Sequence, residues 1–458
     1  MLILSTALAA TLTVGPDGDF STVADAIESS SPGDEILVTS GEYLDDTVSF
    51  PHGDLTIRGV GDTRPVLRVT QNIPNRKGIF AIGVDAGPVT VEFLHFEGAR
   101  ISDSDGANGA GIRMQGQALT VRDCVFTDNQ MGLLAGGTDD FTVWVEDSEF
   151  DANAQEGSGY EHNIYIGTDQ CALFTFIGNY SHHAHSGHNL KSRCQENHIL
   201  YNRLGDEDDG DSSYVIDLPE GGRSVLVGNL VQQGPYAENS SAIISYGAEG
   251  DNDEMLLYAS HNTIVNDKDT QNTSFIHVRT AESVVLRNNL FVGTGTPVDV
   301  QNGSVDDEGS WHEQSDEVLA DRAGYDYHLV EGSGPQDAGV EIDIEELVPT
   351  LQYLHPTDTE PRWDDGAPDI GAYGIGTEPA DTDDSGDGGD GDDDTGTEDT
   401  AVSGCRCAQV SGSAGLVWVL GLLAWSRRRG GLGAGGQDGQ DGHEEFLSDH
   451  QPNPSRGR

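Results

Sequence analysis

The chain alternates short apolar runs with polar turns, and it has no run with the apolar spacing of a long amphipathic helix. Several of these runs end in a step from an asparagine to apolar residues, as in FIGNYS, LYNRL, LVGNLV, ASHNTIV and LRNNLFV. These asparagines are Asn179, Asn202, Asn229, Asn262 and Asn289, separated by 23, 27, 33 and 27 residues. In the earlier runs VRDCVF and VEDSEF, Cys124 and Ser148 take the same place. A repeat of this length without a helix between its strands predicts a solenoid of parallel strands.

Each coil of such a solenoid buries its apolar residues only by stacking, at a spacing of about 4.8 Å, on the coils above and below it. An asparagine at a recurrent tight turn can adopt left-handed dihedral angles and can bond its amide to the asparagines of the neighbouring coils. We therefore expect the five asparagines to form a structural ladder and not a catalytic set.

The strands that precede these turns give a second set of equivalent positions in successive coils. Ile164, Leu190 and Ile216 are each 26 residues apart, and Ile244 follows after 28. If these side chains point inward, alternation along a strand turns the next residue of each strand outward. The outward row then reads Tyr165, Lys191, Asp217 and Ser245.

The net charge and the glycine content indicate which partners and which fold class suit this sequence. The chain has 79 acidic residues against 23 Lys and Arg, a formal net charge of -56, which disfavours nucleic acid and anionic membranes as partners. Its 60 glycines suit a turn-rich all-β protein better than a helical one.

Both ends of the chain resemble export and anchoring signals. Residues 1–10 are apolar and end in small residues, which predicts a signal peptide. Residues 11–376 are predicted to fold, with a closing segment from about residue 306, and the Asp- and Gly-rich residues 377–404 to be a disordered spacer. Residues 405–429 contain an apolar run followed by three arginines, which predicts a sorting or membrane segment, and residues 430–458 are predicted to be a disordered tail. We therefore expect an exported monomer held at the cell surface, with the cell envelope as a partner.

The five cysteines leave alternatives open. Cys171 and Cys194 follow two successive strands and could pair in an oxidising compartment. Cys124 has no evident partner and is expected to be a small buried residue.

The two ends of the predicted solenoid carry a family resemblance. Residues 11–43 read as a strand, a short capping helix over Val23–Ile27 and a first coil, and residues 327–339 (YHLVEGSGPQDAG) and 368–374 (PDIGAYG) read as a closing segment. With the repeat, these segments resemble the right-handed parallel β-helix superfamily that contains pectate lyases, pectin methylesterases and many bacterial surface proteins. The segment with Cys405, Cys407, the apolar run and the arginines resembles the sorting tails of myxobacteria, except that such signals normally stop at the arginines.

The resemblance implies a face directed at an extracellular, acidic polysaccharide, and the outward row suggests a lyase. β-Elimination at a uronate needs a base beside the carboxylate and a cation for the developing enolate. Lys191 or Arg193 could be the base, and His162 or His188 could be an acid or base instead. The candidate catalytic residues are Lys191, Arg193, His162 and His188; the candidate substrate-binding residues are Tyr165, Arg203, Arg223, Tyr246 and Glu249; the candidate ligands for Ca²⁺ are Asp217 and Glu220.

Other interpretations of the same residues remain. The charged row could be a structural ion-pair ladder on a glycan-binding adhesin or an envelope protein without catalysis. The histidines of SHHAHSGH could form a solvated turn or a Zn²⁺ site. A polygalacturonase-type hydrolase would need paired aspartates on adjacent coils, and only Asp217 is well placed.

Overall fold

The computed structural model describes residues 9–154, 160–250, 252–268 and 272–376, and these form a parallel β-helix of three sheets. The predicted fold class, an all-β right-handed parallel β-helix with a short N-terminal capping helix, is confirmed. The predicted spacer, apolar segment and tail lie outside the described residues, as does most of the predicted signal peptide. No helix among the described residues is long and apolar enough to cross a membrane.

The helices are α1 (Val23–Ser29) and the 3₁₀ turns Asp103–Asp105 and Glu345–Leu347. The strands of the first half are β1 (Thr11–Val14), β2 (Glu35–Thr39), β3 (Glu42–Leu44), β4 (Val48–Ser49), β5 (Leu55–Val60), β6 (Val66–Arg68), β7 (Gly78–Ile82), β8 (Val89–Glu92), β9 (His95–Glu97), β10 (Ala110–Met114), β11 (Ala118–Arg122), β12 (Val125–Thr127), β13 (Met131–Ala135), β14 (Phe141–Glu146), β15 (Glu149–Asp151), β16 (Ile164–Ile166), β17 (Cys171–Ile177) and β18 (Tyr180–His182).

The strands of the second half are β19 (His188–Ser192), β20 (Glu196–Leu200), β21 (Arg203–Gly205), β22 (Tyr214–Leu218), β23 (Arg223–Val227), β24 (Leu230–Gln233), β25 (Ala242–Tyr246), β26 (Leu256–Ser260), β27 (Thr263–Asn266), β28 (Ser274–Val278), β29 (Ser283–Arg287), β30 (Leu290–Gly293), β31 (Thr296–Val300), β32 (Ser304–Glu308), β33 (Trp311–Glu313), β34 (Leu319–Asp321), β35 (Asp326–Leu329), β36 (Leu351–Leu354) and β37 (Asp358–Pro361).

Each coil contributes one strand to each of three sheets. The twelve-stranded sheet runs β1-β2-β5-β8-β11-β14-β17-β20-β23-β26-β29-β32, the eleven-stranded sheet β3-β6-β9-β12-β15-β18-β21-β24-β27-β30-β33, and the ten-stranded sheet β4-β7-β10-β13-β16-β19-β22-β25-β28-β31. The pairs within these sheets are parallel, so equivalent positions of successive coils lie next to each other along the axis. In the core, Phe96, Phe126 and Phe150 stack with ring centroids 5.0 and 4.6 Å apart.

The predicted asparagine ladder is confirmed between the twelve- and eleven-stranded sheets. The side-chain amide of Asn179 donates to Oδ1 of Asn202 over 3.1 Å, and Asn202, Asn229, Asn262 and Asn289 continue the series with bonds of 3.0, 2.9 and 2.9 Å. The left-handed residue, however, is the one before each asparagine, as at Gly178, Tyr201, Gly228, His261 and Asn288. The prediction that the ladder asparagines themselves adopt left-handed angles is wrong. Their amides must lie inward to reach the next coil, so the turn falls one residue earlier.

A second amide ladder, which the sequence did not indicate, lies at the turn towards the ten-stranded sheet. Asn129 donates to Asn153, Asn153 to Asn163, and Asn163 to Asn189, over 2.8 to 3.1 Å. Asn189 then donates to the buried carboxylate of Asp206 over 3.1 Å. Irregular spacing hides this ladder, because loops of different length leave the helix at this corner.

The N-terminal end of the core is covered by α1, where the sequence predicts a capping helix. The Thr22 hydroxyl accepts from the N–H of Asp25 over 3.1 Å, as an N-cap residue does. The buried Asp46 carboxylate of the first coil accepts from the N–H groups of Val23 and Ala24 over 2.6 and 3.0 Å. These bonds tie the cap to the first coil.

The last coil ends with β33, so the closing segment starts after Glu313, later than the predicted residue 306. This segment lies back along the outside of the helix. Tyr327, Tyr353 and Ile370 pack against Leu290 and its neighbours on the outer side of the eleven-stranded sheet. The structure thereby buries apolar side chains that point away from the solenoid core.

Candidate functional site

The predicted outward row is present on the ten-stranded sheet. Tyr165 pairs with Lys191, Lys191 with Asp217, and Asp217 with Ser245 in consecutive strands. The row continues to His277 and Asp299, which the sequence analysis did not include. The 26-residue spacing between coils ends after Asp217, and the spacings that follow Ser245 are irregular, so His277 and Asp299 could be found only from the structure.

Lys191 stands between two carboxylates. Its Nζ lies 3.1 Å from Oδ2 of Asp217 and 3.7 Å from Oε1 of Glu249, and 5.7 Å from the centroid of the Tyr165 ring. Asp217 is buried, whereas half of the Glu249 side chain is exposed, with 51% of its surface accessible. Burial raises the pKa of Glu249, but the hydrogen bond from Arg193 and the charges of Lys191 and Arg193 outweigh it and lower that pKa overall.

Arg193 lies beside Lys191 and binds three groups. Its Nη1 donates to Glu220 over 2.7 Å, its Nη2 donates to Glu249, and its Nε donates to the Tyr165 hydroxyl over 3.0 Å. Burial lowers the pKa of Arg193, but these oxygen partners outweigh it and hold the pKa well above its ordinary value. The raised pKa favours the charged guanidinium, which suits Arg193 to bind an anion.

His162 and His188 lie beneath the row, stacked with ring centroids 4.7 Å apart. Nδ1 of His162 accepts from the N–H of His188, and Nδ1 of His188 accepts from the N–H of Tyr214, each over 3.0 Å. Burial lowers the pKa of His162 well below its usual value and that of His188 to about 4. Both rings are therefore buried and neutral near pH 7. Both rings pack beneath the row and support it, and the acid or base role of His162 and His188 stays a prediction.

The Tyr214 ring completes this stack, 5.4 Å from that of His188. The sequence held a signal for it, because His162, His188 and Tyr214 repeat at the same 26-residue spacing as the inward residues Ile164, Leu190 and Ile216. Nε2 of His188 lies 3.5 Å from Oδ2 of Asp217, so the stack reaches the Lys191 ion pair from below.

Three predicted substrate-binding residues do not join the row. Arg203 lies on the eleven-stranded sheet, bound to Glu207 and covered by the closing segment, and Arg223 lies on the twelve-stranded sheet, bound to Glu196. Tyr246 points into the core, where its hydroxyl donates to the carbonyl oxygen of Gly222 over 2.6 Å. It follows Ser245 in the strand, so alternation turns it inward when Ser245 points outward.

The two carboxylates predicted to bind Ca²⁺ are bound to other side chains. Asp217 accepts from Lys191 and faces His188, and Glu220 is bound to Arg193. These carboxylates neutralise cations of the row, and they do not converge on one position with further oxygen atoms. The residues therefore do not fit the oxygen cage of a Ca²⁺ site.

The fold and the row together define a parallel β-helix with a charged outer wall. No protein-family model matches the chain, and no curated protein matches it. Among solved structures, the chain is similar to the crystal structure of pectate lyase Pel9A, with 13% sequence identity, a TM-score of 0.48, and coverage of 80% of this chain and 97% of that one. This similarity is one of fold.

Proposed function

We propose that the outer wall of the ten-stranded sheet, from Tyr165 to Glu249, acts on an acidic extracellular polysaccharide by β-elimination at a uronate residue. Lys191, in its neutral form, is the base that removes the proton from the carbon beside the uronate carboxylate. The electron pair of that C–H bond forms a carbon–carbon double bond as the glycosidic C–O bond on the next carbon breaks, and the leaving oxygen takes a proton from water. Arg193 binds that carboxylate and stabilises the negative charge that develops on it. The outer side of the Tyr165 ring packs against a sugar.

The observation that carries this proposal is the pair of adjacent cations on a chain with a net charge of -56. Lys191 and Arg193 share one carboxylate, that of the half-exposed Glu249. A uronate carboxylate can take the place of Glu249 and meet both cations at once. Displacement of Glu249 would leave Lys191 with Asp217 as its remaining carboxylate partner, and Arg193 with Glu220.

The test is an assay of the purified chain on a panel of uronate polymers, with and without Ca²⁺, that follows the ultraviolet absorbance of the unsaturated product. We expect Lys191→Ala to lower the rate by about 10²- to 10⁴-fold, the usual contribution of a general base. Glu249→Gln should lower KM, because the amide competes less well with the substrate carboxylate for the two cations.

Lys77→Ala is the matched control, since Lys77 is an exposed lysine that flanks the same sheet far from the row and contacts Gln115. It should leave the rate unchanged, and circular dichroism should show that every variant is folded at the assay temperature. Full activity of Lys191→Ala, or no product from any polymer, would overturn the proposal.

A second candidate function is glycan binding without catalysis. It is favoured because the charged side chains of the row already have partners. Lys191 and Arg193 both have carboxylate partners, and both buried histidines are neutral. Such a wall can bind a carboxylated glycan by exchanging ion pairs. Binding on a glycan array that Arg193→Ala weakens, together with no product from any polymer, would support this candidate over the lyase.

We also propose that the protein is exported to an oxidising compartment. The supporting observation is the disulfide between Cys171 and Cys194, which joins adjacent coils. Mass spectrometry of the unreduced protein from its native host should find the two cysteine peptides linked and Cys124 as a free thiol. Recovery of both peptides with free thiols would contradict export.

A further inference from the structure

A second cluster lies on the outer side of the eleven-stranded sheet, away from the charged row. Asp151 ends β15, His182 ends β18 as its direct neighbour on the next coil, and His183 follows. His183 has a φ of 50°, and this left-handed turn keeps its ring beside that of His182. Nδ1 of His182 lies 2.9 Å from Nδ1 of His183.

The carboxylates around the two rings determine where the ring hydrogens lie. Nε2 of His182 is 3.1 Å from Oε1 of Glu149, and Nε2 of His183 is 3.5 Å from Oε2 of Glu207. A carboxylate only accepts, so each Nε2 carries a hydrogen. The carboxylate of Asp151 also accepts from Nδ1 of His183, so in the metal-free chain this nitrogen carries a hydrogen and faces Nδ1 of His182. Loss of that hydrogen on metal binding would present the Nδ1 lone pairs of both rings to one position.

Asp151 supplies a third donor atom at the same position. Its Oδ1 is 2.9 Å from Nδ1 of His183 and 3.4 Å from Nδ1 of His182. Zn²⁺ bound at about 2.0–2.1 Å in a tetrahedron separates its ligand atoms by about 3.3 Å, close to these distances. Among the described residues, this is the group of three His, Cys, Asp or Glu whose ligand atoms converge closely enough to hold a metal ion.

We propose that His182, His183 and Asp151 form a binding site for a divalent metal ion of the Zn²⁺ class. Two imidazole nitrogens and one carboxylate oxygen suit Zn²⁺, and they do not suit Ca²⁺ or Mg²⁺, which prefer oxygen ligands alone. Glu149 and Glu207 orient the rings through Nε2, as carboxylates commonly do at metal-bound histidines.

The surroundings favour a cation at this position. Glu149, Asp151 and Glu207 bring three carboxylates, and Arg203 is the cation bound to Glu207. His182 is almost covered, with 7% of its side chain accessible, whereas His183 and Asp151 are 23% and 33% accessible. The exposed side leaves the fourth position of a tetrahedron to water or an exogenous ligand.

The test is a titration of the chelator-treated full chain with Co²⁺, followed by Zn²⁺ displacement and by calorimetry with Zn²⁺ and with Ca²⁺. We expect one Co²⁺ per chain with the visible absorption of a tetrahedral site, displacement by Zn²⁺, no binding of Ca²⁺ at this site, and a rise in melting temperature with Zn²⁺. Asp151→Asn and His182→Gln should abolish the absorption. Glu149→Gln should raise the dissociation constant by about 10- to 100-fold.

His277→Gln is the matched control, because His277 also pairs with an aspartate, Asp299, over 3.0 Å, but on the ten-stranded sheet. It should leave Co²⁺ binding unchanged. Asp151 and Asn are nearly isosteric, so the melting temperature of the metal-free variant separates loss of a ligand from misfolding. Absence of Co²⁺ and Zn²⁺ binding, or binding that Asp151→Asn and His182→Gln leave intact, would overturn the proposal. A proton shared between the two rings would then explain the short distance between their Nδ1 atoms.

Discussion

Asp147 lies where its surroundings disfavour a charged carboxylate. It has a φ of 50° in the turn before Ser148 of the ladder. Burial, and then the charges of Glu146, Asp358 and Asp123, raise its pKa to about 7 from its ordinary value of 3.8. Asparagine tolerates left-handed angles as well as aspartate does, so the charge can be removed without changing the turn.

We predict that Asp147→Asn stabilises the protein at pH 8 and not at pH 3.5. Below pH 3.8 the carboxyl is protonated in both the folded and unfolded states. Between pH 3.8 and about 7 the unfolded state loses its proton first, so stability falls as the pH rises. After allowance for solvent screening of this partly exposed group, the gain at pH 8 should be about 1–2 kcal/mol by denaturant unfolding.

Asp123→Asn is the control for this prediction. Asp123 has the same left-handed position in the preceding coil, with a φ of 49°, and its carboxylate is bound to Arg64. Removal of that charge breaks an ion pair, so stability at pH 8 should fall slightly. A gain of equal size in both variants would contradict the account given for Asp147.

At the scale of the elements, the asparagine ladder pairs buried polar groups of neighbouring coils with one another. Asn229 donates to the carbonyl oxygen of Ile199 over 2.7 Å and to Asn262, and its Oδ1 accepts from the N–H and the amide of Asn202. All these groups are buried. Each bond satisfies a group that would otherwise lose its contact with water.

We predict that Asn229→Ala destabilises the protein by about 2–4 kcal/mol, because it leaves several buried donors and acceptors unpaired. Denaturant unfolding of the purified chain measures the loss. Asn302→Ala is the control, since Asn302 is exposed and donates to Arg279 over 3.1 Å; its effect should be within about 0.5 kcal/mol. Equal effects of the two substitutions would show that the ladder has no special role.

Strand registers were predictable where coils have equal length. The 26-residue repeat placed Tyr165, Lys191 and Asp217 in one row because a parallel ladder fixes equal positions against each other. Between Ser245 and His277 the coil is longer, and no spacing in the sequence indicates that they pair. The second amide ladder was missed for the same reason.

At the scale of the whole molecule, the closing segment is part of the folded unit. Tyr353 is buried among residues of the eleven-stranded sheet and its own hairpin. The N–H of Ala372 donates to Thr263 of that sheet over 2.9 Å. Apolar side chains of the coils, such as Leu290, are covered only because this segment returns along the helix.

We predict that Tyr353→Ala lowers the stability of the entire chain by about 3 kcal/mol or more, through loss of a buried aromatic ring. Far-ultraviolet circular dichroism and tyrosine fluorescence should report the same shifted transition. Leu354→Ala, an exposed neighbour with 40% of its surface accessible, should have little effect. An early transition seen by fluorescence alone would show that the segment unfolds independently.

The sequence by itself determined the parallel β-helix, the capping helix, the first amide ladder and the charged row, because each follows from periodic residues that stack in neighbouring coils. Only the tertiary structure decided which charges meet across loops, as Glu249 meets Lys191 and Arg193, and where Arg203, Arg223 and Tyr246 lie. It also brought His182 and His183 to Asp151. These contacts depend on loop lengths and on the return path of the closing segment, which have no period along the chain.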